Sequence, residues 1–305
     1  MAVRIVTDST CDLPHDLVEA LGIIVVPAYV HFGDKTYRDG VDIETEELYR
    51  RLVEGPVHPT TSACSPGDFA AAYGEALQGG NEVVAITATG KMSALHKSAL
   101  VARELLKERS RIEVVDSRSV SMGLGLIAIA AARKVQDGAG LVEVVETARN
   151  AAARTHMLAV LDTLKYALRG GRLKRTSVLI GSLIRVKPMI TLRDGEVVSA
   201  GVTRTRARAI ERLYEFVQLH TPVDDAAVVH NTTPDEAQSV AARIGGLMSG
   251  RQPAVATLGP ALGVHGGPGV LVVAVLTGER GRDEEMPVGK KERKLSLPSI
   301  RTRRQ

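Results

Sequence analysis

The first 116 residues alternate short Val/Ile-rich runs with amphipathic stretches, and no other feature constrains the fold as strongly. VRIVT, GIIVVPAYV, EVVAITA and RIEVVD are short and rich in β-branched residues, as strands are, whereas 14–21, 45–53, 66–77 and 92–107 repeat apolar residues at helical spacing. Strands separated by helices are free to pair in parallel, and a parallel sheet is covered on both faces. The pattern therefore predicts an N-terminal parallel α/β sheet domain over 1–156, ending in two Ala-rich helices at 121–136 and 141–153. Near residue 157 the pattern changes. VKPMITLRDGEVVSAG reads as two strands joined at Asp194-Gly195, a strong hairpin signal. A helix at 206–219, the strand AAVVH, a helix at 234–248 and a closing strand GVLVVAV follow. The expected architecture is a two-domain α/β protein, with a smaller α+β C-terminal domain over 157–280 and a tail over 281–305.

Charge is informative only by position. The formal net charge is +4, and residues 281–305 alone carry eight Lys/Arg against four Asp/Glu, so the rest of the chain is balanced. That segment lacks an apolar period and is interrupted by Pro and Gly, the composition of a disordered tail. With no Trp and three Phe, a base-stacking surface is not expected, so no nucleic-acid partner is expected. Peripheral contact of the basic tail with a membrane stays open. The two cysteines, Cys11 and Cys64, are too few for a disulfide framework, and the N-terminus enters a strand without an apolar leader. The apolar stretches near 123 and 270 are too short to span a bilayer. The expected location is the cytoplasm.

Enzyme signatures fail one by one. The chain has no G-x-S-x-G, H-E-x-x-H or C-x-x-C, and no G-x-G-x-x-G follows the first strand. Gly90-Lys91 lacks the earlier glycine of a P-loop, since Ala85 stands there, and Met92 separates Lys91 from Ser93. What remains is polar: TDST at 7–10, TTS at 60–62 and TATGKMS at 87–93, all placed where strands of a parallel sheet would end, the edge at which such sheets bind ligands. Each has a plain alternative. Asp8, Ser9 or Thr10 suit a turn, and Ser93 suits a helix cap, as Ser65 does with Pro66 and Asp68. Further along, His265 lies among glycines in LGPALGVHGGPGV, read as a loop, and Arg169-Gly170-Gly171-Arg172 with Arg204 and Arg206 add positive charge. Hydroxyls from one domain and His/Arg from the other would together surround one anionic group. The Ala and Gly of SMGLGLIAIAAA suit either a channel for an apolar chain or close helix packing.

These residues resemble the DegV family. Thr7-Asp8-Ser9-Thr10 with Asp12-Leu13-Pro14, Thr61-Ser62 before Ser65, Gly67-Asp68-Phe69, Lys91-x-Ser93, Arg169-Gly170-Gly171-Arg172, Lys187-Pro188 and His265-x-Gly267-Pro268-Gly269 carry the likeness in order over residues 3–277. The resemblance implies a two-domain fatty-acid-binding protein, with the ligand between the domains. Such a protein presents the carboxylate of a long-chain fatty acid such as palmitate to a separate ATP-dependent fatty acid kinase, its catalytic partner subunit. It also implies that Thr61 and Ser93 bond the carboxylate, that Ser62 assists, and that His265 stands beside it. Arg172 and Arg204, with Arg206 an equal alternative to Arg204, then face the kinase, with His265 serving phosphoryl transfer. No catalysis by the chain alone, no metal and no cofactor are implied. Two other readings stand beside this one: a stand-alone hydrolase or transferase using Ser93 and His265, and a regulatory module whose tail binds nucleic acid.

Overall fold

The structure is a computed structural model and describes residues 2–173, 186–248 and 251–278. The expectation for the tail at 281–305 lies outside the described residues.

In chain order the elements are β1 (Val3–Asp8), α1 (His15–Leu21), β2 (Ile24–Val26), β3 (Tyr29–Phe32), β4 (Lys35–Arg38), α2 (Thr45–Glu54) and β5 (Thr60–Ser62). There follow α3 (Pro66–Ala76), β6 (Glu82–Thr87), α4 (Leu95–Leu105), β7 (Ile112–Asp116), α5 (Ser121–Gln136), α6 (Leu141–Arg154), β8 (Thr155–Val160) and α7 (Lys165–Arg169). After the undescribed stretch come β9 (Lys187–Arg193), β10 (Glu196–Thr203), α8 (Arg206–Leu219), β11 (Val223–His230), α9 (Pro234–Gly245), β12 (Ala254–Thr257), α10 (Pro260–Gly266) and β13 (Leu271–Thr277).

The Val/Ile runs form a four-stranded sheet of order β2-β1-β6-β7, parallel throughout. Its strands are buried on both faces because α3 and α4 pack on it together with α5 and α6, the reason β6 reads as a nearly unbroken apolar run. The chain leaves β1 toward β2 on one side and reaches β6 on the other. The C-terminal ends of β1 and β6 therefore flank a switch in strand order, where open α/β sheets form a ligand crevice. Asp8 to Thr10 and Thr89 to Ser93 occupy that edge.

A second sheet has six strands in the order β10-β9-β8-β13-β11-β12, antiparallel except for β11 with β12. Its hairpin turns at Asp194 and Gly195, both with positive φ. Helices α8 and α9 cover one face and build a separate core with Leu213, Val217, Val240 and Ile244. The other face shares a core with the parallel sheet through α5, whose Met122, Leu124, Leu126 and Ile127 are almost wholly buried. The glycines of α5 serve close packing: a Cβ at Gly125 would lie 2.9 Å from the Cys11 carbonyl oxygen and 2.8 Å from Met122 Sδ.

Three features differ from the expectations. GIIVVPAYV is two strands in two sheets, since Pro27 separates β2 from β3. TTS is a strand, β5, at the edge of a small antiparallel sheet β4-β3-β5. LGPALGVHG is largely helical, because Pro260 starts α10 and Gly263 and Gly267 donate to the carbonyls four residues before them. His265 thus sits in the last turn of a helix and not in a loop.

Candidate functional site

Alternation along β5 decides which hydroxyl faces inward. Thr61 lies opposite Val30, which is fully buried, so its side chain shares the inner face of the small sheet. Ser62 points the other way, and its Oγ lies 2.8 Å from His31 Nε2, while His31 Nδ1 is 2.9 Å from Thr36 Oγ1. The two neighbouring hydroxyls expected at one head group therefore stand on opposite faces.

On the inner face, Thr61 Oγ1 meets His265 Nε2 at 2.8 Å, joining residues 204 positions apart. Helix α10 carries the histidine there. Its Ala261 and Val264 enter a small core with Val30, Leu48 and Tyr49, and a Cβ at Gly263 would come within 2.6 Å of Leu48 and of the Tyr49 hydroxyl. The start of α10 is held by two buried carboxylates from the other half of the chain. Gly259 N–H donates to Asp12 Oδ1 at 2.8 Å and Ala261 N–H donates to Asp39 Oδ1 at 3.0 Å. Asp12 also accepts from Ser121, and Asp39 from the Ser9 hydroxyl at 2.6 Å. Burial raises the Asp12 carboxyl to about 8, aided by the charges of Asp39 and Asp8, and burial also raises Asp39.

Asp8 completes this acidic knot. It accepts from Ala88 N–H at 2.7 Å and from the backbone and hydroxyl of Thr10, tying the end of β1 to the end of β6. Burial lifts its carboxyl to about 6. Asp8, Ser9 and Thr10 thus have structural partners, with Asp8 capping the turn after β1.

The Arg-Gly-Gly-Arg segment closes over His265. A Cβ at Gly170 would lie 2.8 Å from His265 Cε1, so glycine is what lets the imidazole seat there. Arg172 Nη1 donates to the Gly170 carbonyl at 2.8 Å. Burial, then the Arg172 guanidinium and His58, push the His265 imidazole down to about 4, so it is neutral at physiological pH. Beside it Tyr166 packs against Gly267 and stacks on His58, ring centroids 6.0 Å apart. Burial, Arg169 and Lys165 lower the His58 imidazole as well.

Ser93 stands on the crevice edge after β6. Its N–H donates to the Thr89 carbonyl at 3.3 Å, and its Oγ accepts from Leu95 N–H at 3.3 Å, one residue before the N-cap of α4, which is Ala94 and not Ser93. Among the described residues no hydrogen bond joins Ser93 to Thr61 or His265. Thr89, fully buried, donates its hydroxyl to the Gly195 carbonyl at 3.0 Å, so the β9–β10 hairpin braces the loop that carries Ser93. Arg204 is exposed at the end of β10 and forms no ion pair among the described residues. Arg206 is instead fixed, with Nη2 2.7 Å from Glu236 Oε2 and Nη1 donating to the Gly269 carbonyl at 2.7 Å.

The structure thus joins Thr61, His265 and Arg172, sets Ser93 on the crevice edge, turns Ser62 away, and leaves Arg204 exposed after β10. The roles of Asp12, Asp39 and Gly170 are not readable from spacing. The one local signal for the first two is a Gly-Pro helix start at 259–260, whose free N–H groups require acceptors. Cys11 and Cys64 are buried free thiols, and no group of three or more His, Cys, Asp or Glu among the described residues is arranged to hold a metal ion. No described helix is long and apolar enough to cross a membrane.

Fold and site define a class: an α/β protein whose two larger sheets share a helical layer, with a hydroxyl–imidazole pair where its N- and C-terminal halves meet. A family model described as "Uncharacterised protein, DegV family" matches residues 2–278, and the chain belongs to this family. A DegV domain-containing protein of Caldanaerobacter subterraneus is 35% identical over 270 residues, covering 87% of this chain and 95% of that protein. Among solved structures, a DegV family protein from Thermus thermophilus, described by its fatty acid binding, superposes with a TM-score of 0.84 at 31% identity, covering 90% of this chain and 99% of the other. DegV of Bacillus subtilis, described as a fatty acid binding protein, gives 0.80 at 26% identity over 90% of this chain and 99% of the other.

Proposed function

We propose that this chain is a carrier that binds a long-chain fatty acid such as palmitate and presents its carboxylate to a separate ATP-dependent kinase, which makes the acyl-phosphate. The observation that carries the reading is the Thr61–His265 pair beside Arg172, where the two halves of the chain meet. The fatty-acid binding described for the Thermus and Bacillus relatives supports it. In this reading the Thr61 and Ser93 hydroxyls donate to the carboxylate, and Arg172 supplies charge. Ser62 supports Thr61 only through the strand they share. Arg204, being exposed, suits the face offered to the kinase. The chain itself supplies binding and orientation, phosphoryl transfer belongs to the partner, and the setting is the cytoplasm.

Energetics divide the work. Burying about 14 methylenes at roughly 0.8 kcal/mol each gives on the order of 11 kcal/mol before ordering costs. A hydrogen bond to a charged group contributes about 1.5 to 3 kcal/mol. The acyl chain supplies affinity, and the hydroxyls fix where the carboxylate stops. Reconstitution tests the proposal: purified chain, palmitate, ATP and a fatty acid kinase catalytic subunit are expected to yield acyl-phosphate, trapped as the hydroxamate. Binding of palmitate without product in the presence of an active kinase would leave a lipid-binding protein outside this reaction.

A further inference from the structure

The Nδ1–Cε1 edge of His265 lies against Gly170, and Nδ1 is buried with no hydrogen-bond partner among the described residues. The other ring nitrogen, Nε2, faces Thr61 Oγ1 at 2.8 Å. A neutral imidazole carries one N–H and one bare nitrogen, and each tautomer has a different cost here. A proton on Nδ1 would be a buried donor with nothing to receive it. A proton on Nε2 leaves a bare acceptor against Gly170, the milder defect, since orphaned buried donors are rarer than under-satisfied acceptors. A proton on both is opposed by burial and by Arg172 and His58, the charged and titratable groups beside the ring.

We infer that His265 is held as the neutral Nε2–H tautomer by its packing on Gly170, and that it donates to Thr61, so that the Thr61 hydroxyl directs its own proton at the anionic head group. His265 is then a positioning residue acting through Thr61, and Gly170 is the residue that selects its tautomer. A hydroxyl that both donates and accepts is free to rotate; one whose lone pair is already engaged by an N–H keeps its proton for another acceptor. The head-group part rests on the proposed carrier function, whereas the tautomer does not.

Long-range proton–nitrogen NMR on lipid-free protein with ¹⁵N-labelled histidine, the resonances assigned by their loss in His265→Gln, reads the tautomer directly. At pH 7 the expected result is a protonated Nε2 and a bare Nδ1, unchanged down to about pH 5. A protonated Nδ1, or an imidazolium at pH 7, would overturn the inference whether or not the protein binds lipid. A second measurement reads the relay. Glutamine places an N–H near the Nε2 position, whereas asparagine reaches only to Nδ1. His265→Gln is expected to hold palmitate within about threefold of the native affinity, and His265→Ala and His265→Asn to weaken it by about tenfold, the worth of one hydrogen bond. Equal weakening in all three, with folding intact by circular dichroism, would contradict donation through Nε2. Native-like lipid affinity in His265→Ala would contradict it too.

Discussion

A single methyl group at position 170 would press on the edge of His265, and a methyl in place of the Thr61 hydroxyl would remove the partner of its Nε2. At the residue scale, therefore, the site is a set of small side chains arranged around one neutral ring. Thr61→Ala and Ser93→Ala are each expected to fold normally and to bind palmitate roughly tenfold to a hundredfold more weakly, since each removes a bond to a charged group. The double variant should be weaker than either single one, and unchanged dissociation constants in a titration would remove both from the site. His265→Ala should still carry lipid through purification, because burial of the acyl chain far exceeds one hydrogen bond. With kinase and ATP its acyl-phosphate yield should fall about tenfold or more, since Thr61, no longer held by the imidazole, loses its aim on the charge that develops at the head group. Wild-type turnover would refute that role. The resemblance singles out Thr61, Ser93 and His265 in the sequence, and the structure brings the first and last of these together, but the separation of Ser62 from Thr61 is not legible there. Placing 60–62 at the end of a strand of a parallel sheet hides the period-two alternation that sends adjacent hydroxyls to opposite faces.

At the scale of elements, the short helix α10 depends on acceptors supplied from far along the chain. Asp12 and Asp39 satisfy its first N–H groups, and this long-range support offsets the helix cost of Gly263 and Gly266. Burial raises Asp12 from 3.8 to about 8 and Asp8 from 3.8 to about 6, so the folded state binds more protons than the unfolded state between these values. Their contribution to stability is full below about pH 4 and is lost as pH rises through the folded values. His265 acts oppositely. Its lowered value costs stability below about 6.5, progressively down to about 4. Asp12→Asn keeps an acceptor for Gly259 and tolerates the left-handed φ of 52°, so its melting temperature should decline less steeply than wild type between pH 6 and 8. Parallel slopes would show that Asp12 does not titrate there. The hairpin invites a second test. Gly195 has a φ of 79° and its carbonyl receives the Thr89 hydroxyl, so Gly195→Ala both strains the turn and displaces the Ser93 loop. It should weaken palmitate binding several-fold beyond what Asp194→Ala does; equal effects would mean that the hairpin only stabilises the fold. Long helices such as α5, an unbroken Ala-rich apolar run, and α8, with its amphipathic period, are legible to the residue. α10 and β5 are not, because glycine content and shortness mask them, and both owe their form to tertiary contacts.

At the scale of the whole molecule, two sheets share one core through α5, and the chain crosses between halves to bring α10 onto the small sheet that holds Thr61. The strand–helix alternation makes the parallel sheet legible from sequence, and Asp194-Gly195 makes the hairpin legible. The meeting of residues 61 and 265 is not, since no local pattern encodes a contact 204 positions apart. In the proposed function this contact serves a bound fatty acid. Native mass spectrometry of freshly purified protein decides this: the expected result is a co-purified mass matching one long-chain fatty acid, released on denaturation and regained when palmitate is added back. A clean apo mass that also fails to shift with added palmitate would contradict it.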